Sequence, residues 1–117
     1  PVSPLVAAAA GETPDFRAVR EAIEAAAEPV AEHDLASIRA CCLHALASED
    51  PEVVREAVRL AEINGDEALA RACVALLDRD DAMIRGHAAA VVARWGAGQD
   101  KAALRAWRGR QLRAQGS

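Results

Sequence analysis

Residues 50–77 read DPEVVREAVRLAEINGDEALARACVALL, and the fold class follows from this stretch. Asp50-Pro51 pairs a capping side chain with the residue best suited to the first helical position. Val54, Val58, Ala61 and Ile63 then share one face of a helix that Asn64-Gly65 closes. Asp66 opens a second helix, with Leu69, Cys73, Leu76 and Leu77 on its apolar side. The text of the first helix occurs elsewhere: Val54-Arg-Glu-Ala-Val58 matches Val19-Arg-Glu-Ala-Ile23 and, more loosely, Ile84-Arg-Gly-His-Ala88. Each copy has an aspartate five residues before its arginine, and the copies lie 35 and then 30 residues apart. Self-similarity at such a period is the mark of a stacked repeat array.

Outward from this stretch, residues 1–12 carry two prolines and no clear period, and read as an N-terminal arm. Residues 13–117 read as one domain, with helices expected at about 14–28, 35–48, 51–64, 67–78, 82–95 and 101–114. Thr13-Pro14 is the expected start of the first, which places Phe16, Val19 and Ile23 together; Asp34 is the expected cap of the second. The fifth opens at Asp80 or Asp81 and ends at Trp95-Gly96. Gly98 to Asp100 reads as a turn before a last helix carrying Leu104, Trp107 and Leu112. Ile38, Cys42, Leu43 and Leu46 map onto Leu69, Cys73, Val74 and Leu77 at an offset of 31, so two helix types alternate. Short turns make successive helices antiparallel.

Composition agrees with packed helices. Hydrophobic residues make up 52% of the chain, alanine supplies about half of them, and aromatics are only 3%. Alanine favours helix and lets axes approach closely, and no segment alternates apolar with polar residues as a sheet strand does. With 117 residues the chain can bury roughly two-thirds of its unfolded surface. Residues 1–100 hold all 18 acids and nine bases, whereas Lys101, Arg105, Arg108, Arg110 and Arg113 face no acid in the last segment. The acidic body is a poor surface for nucleic acid. The basic segment suits an acidic partner or the next acidic repeat, or it complements a helix C-terminus. Three cysteines, two of them adjacent, read as free thiols in a reducing, cytoplasmic compartment. No stretch has the length of a membrane span or the layout of a secretory leader. The start at Pro1 reads as a processed initiator methionine or an excised fragment.

Asp50-Pro-Glu-Val-Val-Arg55, the alanine-rich helix, the glycine turn and Glu67 to Leu77 together resemble HEAT repeats, most closely the short phycobilisome-lyase HEAT-like type. Asp81-Ala-Met-Ile-Arg85 with Ala88 to Val92 and Trp95-Gly96 matches a second unit. The resemblance covers residues 34–97 and extends weakly to 13–28. It implies an all-α, right-handed α-solenoid of about six antiparallel-paired helices. It also implies a ladder between neighbouring units, carried here by Asp15, Asp50 and Asp80 with Arg20, Arg55 and Arg85. Tetratricopeptide units want bulky aromatics, and this chain has no tyrosine.

Chemistry-bearing residues do not converge on a catalytic pattern. His33, His44, His87 and Cys41 lack the two close pairs of a zinc site, so no metal or other cofactor is expected. Cys41 and His44 sit three apart on one helix, but nothing in an acidic helical setting activates the thiol. Cys42 and Cys73 fit small core positions at equivalent places in the repeat. Asp78, Asp80 and Asp81 read as turn capping. Trp95 is expected to pack on the last helix, against Trp107, and Trp107 is a candidate binding anchor.

The leading expectation is therefore a non-enzymatic interaction module, whose second-type helices present a mostly acidic strip to a protein partner with a basic segment. Candidate contacts are Glu21, Glu24, Glu52, Glu56, Arg59, His87, Arg94 and Trp107. Copies differ most at Glu24 against Arg59 and Arg94, at Glu56 against Gly86, and at Ala57 against His87. An accessory role in bilin attachment, implied by the family resemblance, and HEAT-type DNA binding are the alternatives; no membrane contact is expected. Arginine-over-lysine usage with abundant alanine suits a GC-rich bacterial source.

Overall fold

The structure is a computed structural model that describes residues 3–116; Pro1, Val2 and Ser117, which the expected arm and domain ranges include, lie outside them. The described residues are all helical and turn, without a strand. Seven α-helices follow in order: α1 (Pro4–Ala10), α2 (Phe16–Ala25), α3 (Glu32–Ala45), α4 (Pro51–Ile63), α5 (Glu67–Val74), α6 (Ala82–Trp95) and α7 (Gly98–Gly116). A single 3₁₀ turn, Ala75–Asp78, extends α5.

Local chemistry explains most of the boundaries. Asp50, Asp66 and Asp81 each accept a backbone N–H from the first turn that follows them, at 2.9, 2.9 and 3.0 Å. An N-cap of this kind stabilises a helix by about 1 kcal/mol. At α2 the cap is Asp15, which accepts from the Ala18 amide at 3.1 Å, so the helix starts after Thr13-Pro14 and stops at Ala25. The longer range of 14–28 overshoots at both ends. Helix α3 starts at Glu32, before Asp34, and has no side-chain cap. Asp34 instead lies in the first turn with Glu32, where carboxylates oppose the helix dipole. Gly98 to Asp100 are not a turn but the first turn of α7.

Residues 4–10, expected within an arm, form α1. Ser3 caps it by accepting from the Leu5 amide at 3.2 Å, Pro4 occupies its first turn, and Ala9 is buried. The sequence PLVAAAA hides this helix because it has no polar residue to reveal a period. Helix α1 packs on α2 and α3.

The contacts follow one plan. Helices α1, α3, α5 and α7 touch one another in chain order, and so do α2, α4 and α6. Within the chain α1 also meets α2, α3 meets α4, and α5 meets α6. The body is elongated, 55 × 27 × 22 Å. Phe16, Val19, Ile38, Cys42, Val54, Val58, Leu69, Cys73, Ile84 and Val92 line its core as their periodicity requires. Leu112 departs from expectation and is 70% exposed, within the stretch 110–116 of α7 where every residue is exposed. Ile23 and Leu35 are only half-buried, and Ala26 and Ala27 are exposed.

One joint is unusually close. Trp95, at the end of α6, turns back onto the α4–α5 link and donates its Nε1–H to the Glu62 carbonyl at 3.0 Å. A Cβ placed on Gly65 would lie 2.4 Å from Trp95 Cδ1 and 2.5 Å from the Ala61 carbonyl oxygen. The carbonyl belongs to the α4 backbone and cannot swing away. Gly65→Ala is therefore expected to destabilise the fold by about 1–3 kcal/mol. A lower urea midpoint, with tryptophan fluorescence as the probe, checks it.

Candidate interaction surface

Arginine side chains bridge the helices, but Arg20, Arg55 and Arg85 pair with none of the expected Asp15, Asp50 and Asp80. Arg55 on α4 reaches Asp81 Oδ2 at 2.7 Å and Glu52 Oε2 at 2.7 Å. Its partner at the start of α6 is thus Asp81, one residue beyond Asp80, because Asp81 is the residue that caps α6. One carboxylate serves both ends: Oδ1 takes the Ile84 amide while Oδ2 takes the guanidinium. The Ile84 amide first, and Arg55 after it, hold the Asp81 carboxyl below the usual aspartate range, against the opposing effect of partial desolvation. Glu52 is the first cause that raises the Arg55 guanidinium, with Asp81 adding to it.

The other two expected rungs are built otherwise. Arg20 pairs with Glu24 at 3.3 Å and reaches Glu56 on α4 at 3.9 Å, while Asp15 and Asp50 serve as caps. Arg85 donates to the Arg79 carbonyl at 2.9 Å and so braces the turn before its own helix.

A second set of rungs joins the other helix type and has no counterpart in the expected ladder. Arg39 on α3 contacts Asp66, the cap of α5, at 3.6 Å, donates to Asn64 Oδ1 at 2.8 Å and pairs with Glu32. Asn64 is only 5% exposed and donates in turn to the Leu35 carbonyl at 3.1 Å. Arg71 on α5 contacts Asp100, in the first turn of α7, at 3.6 Å. Asp100 is likewise 5% exposed. The signal was in the sequence: arginine precedes its acid by 27 residues in one case and 29 in the other, close to the 26 of Arg55 and Asp81.

These contacts divide the candidate strip in two. Glu56 is held between Arg20 and Arg59, the latter at 3.4 Å. His87 meets Glu62 across α4 and α6. Arg94 donates to the Glu62 carbonyl at 3.0 Å and stacks 4.8 Å from the centroid of Trp95. Glu56, His87 and Arg94 therefore bind parts of this chain to one another, whereas Arg59 pairs along α4 itself, with Glu56. Glu21, Glu24 and Glu52 remain outward, with side chains 60, 53 and 69% exposed. Their ion pairs span three or four residues along one helix, and such surface pairs exchange readily. Trp107 is half-buried against the core, with its Nε1 buried and unbonded among the described residues.

Cys41 and His44 both line a groove of about 700 Å³ beside α1 and the end of α3. Cys41 is half-buried, whereas Cys42 and Cys73 are fully buried, and burial pushes both their thiols up to about 12. No group of three or more His, Cys, Asp or Glu side chains among the described residues is placed to hold a metal ion. Among the same residues no helix is long and apolar enough to cross a membrane. Comparison with protein-family models finds no matching family, and neither curated proteins nor solved structures give a match.

Two measurements follow from this geometry. Asp81→Asn keeps a capping oxygen but removes the charge facing Arg55. A lowered folded pKa contributes stability above the ordinary aspartate value of about 3.9, and that contribution is lost as pH falls through the folded value. Wild type is therefore expected to have the higher urea midpoint at neutral pH, and the two midpoints are expected to converge on acidification. Alkylation by iodoacetamide at mildly alkaline pH is expected to label Cys41 in the native protein and all three cysteines in urea. Mass spectrometry reads the difference.

Proposed function

We propose that this chain is a short right-handed α-solenoid of HEAT-like helix pairs, and that it acts as a non-enzymatic interaction module for a protein with a basic segment. The pairs are α1 with α2, α3 with α4, and α5 with α6, while α7 leads a fourth. The rung carries this reading: an arginine reaching forward to the acid at the start of the next helix of its own type. It recurs at Arg39–Asp66, Arg55–Asp81 and Arg71–Asp100. Contacts between like helices in chain order support the same architecture. Each unit then touches only its neighbours, and the body presents long surfaces instead of an enclosed pocket.

The partner surface is the outward acidic part of α2 and α4, carried by Glu21, Glu24 and Glu52. Buried, reduced Cys42 and Cys73 suit a cytoplasmic setting. The bilin-attachment alternative lacks an activated thiol in the core, and the acidic surface disfavours DNA. The test is a combined Glu21→Lys and Glu24→Lys variant, with Glu52 and Glu56 left intact because they brace Arg55 and Arg20. Binding to a lysine- and arginine-rich helical peptide, measured by titration calorimetry, is expected to fall about tenfold or more with helicity unchanged. Equal binding by both proteins would remove the acidic surface from consideration.

A further inference from the structure

Helix α7 is packed along only part of its length. Leu104 is buried and Trp107 half-buried, but from Arg110 to Gly116 every residue is exposed. A helical segment this short is marginal in water without a surface to cover it. Lys101, Arg105, Arg108 and Leu112 are spaced by four, three and four residues, which puts them on one stripe along the helix. All four are exposed, and none of the three cations has an ion pair among the described residues. The stripe is thus a row of positive charge that ends in an apolar knob.

The complementary surface lies elsewhere in the same chain. The groove beside α1 is walled by Ala9, Cys41, Ala45 and Val53, and Glu12 is at its edge. Glu49 and Asp50, both exposed, directly follow Ser48 of its lining. Residues 1–50 hold nine acids against three arginines, whereas 101–116 hold five bases and no acid. Helices α1 and α2 pack on α3 and α4, while α7 packs on α5 and α6, so the two surfaces belong to different ends of a 55 Å body.

We infer that the groove receives α7 of a second copy of this chain, with Leu112 seated between its alanines and Arg105 and Arg108 facing Glu12 and Glu49. The contact joins unlike surfaces, so each copy offers one donor helix and one acceptor groove, and association proceeds head to tail. Apolar burial supplies the attraction, and the opposite charges set direction and salt sensitivity. The groove and the stripe share no residue with Glu21, Glu24 and Glu52, so this inference stands or falls apart from the partner reading above.

Sedimentation velocity over a range of protein and salt concentrations tests it. At low salt the average mass is expected to rise with concentration, and at high salt to return toward the 12.3 kDa monomer. Arg105→Glu with Arg108→Glu, and separately Glu12→Lys with Glu49→Lys, are each expected to abolish association, and an equimolar mixture of the two variants to form a complex again. Leu112→Asp is expected to weaken association about tenfold or more. Far-UV circular dichroism verifies that each exposed substitution leaves the helices intact. A monomer at every concentration in low salt, or association unmoved by both charge reversals, overturns the inference. A monomer that is instead retained on anionic vesicles or duplex DNA also overturns it, and gives the stripe to a foreign polyanion.

Discussion

The structure depends on a carboxylate at the start of a helix that is bound from two sides. At Asp81 one oxygen satisfies an amide of its own helix and the other meets Arg55 from the preceding helix of the same type. The arrangement matters because alanine-rich faces are smooth. Small side chains permit close approach but define register poorly, since few large knobs enter matching holes. A charged bond at a fixed point on each helix supplies the missing register, and its bonded geometry makes it stronger than a loose surface pair. The carboxylate also fixes where the next helix begins. Position along the chain and position in space are thereby set by the same side chain.

Asn64, Gly65 and Trp95 complete the joint between the two helix types. Asn64 ties the α4–α5 link to Arg39 and to the Leu35 carbonyl. Gly65 leaves room for the Trp95 ring, whose N–H occupies the Glu62 carbonyl at the last turn of α4. A helix C-terminus leaves carbonyls without intrahelical partners, and here an indole and a guanidinium from α6 satisfy one of them. The Asn-Gly pair thus does more than end a helix: it makes the site where a helix two elements later is anchored.

Residues 51–95 were legible in sequence because aspartates punctuate them and bulky residues mark one face of each helix. Asp50, Asp66 and Asp81 cap where their positions suggest, and Val54, Val58, Leu69, Cys73 and Ile84 are all buried. Where alanine dominates, the period fades. Ala7 to Ala10 gave no phase, so α1 read as an arm, and Ala25 to Ala27 carried the expected end of α2 on to residue 28, beyond Ala25 where it stops. The choice between adjacent aspartates was also invisible: only the path of the chain shows that Asp81, and not Asp80, faces Arg55. Of the candidate surface, the residue types were legible but their engagement was not. Glu56, His87 and Arg94 look like surface charges in sequence, and contacts 25 to 36 residues away hold them within the molecule.

The rungs are not equal along the body. Between α4 and α6 the guanidinium sits 2.7 Å from its acid, and the Trp95 joint lies beside it. Between α2 and α4 the corresponding reach is 3.9 Å, from Arg20 to a glutamate in mid-helix. The α4–α6 interface is therefore the more tightly bonded of the two. The outward acids of α2 accordingly stand across the looser interface from Glu52.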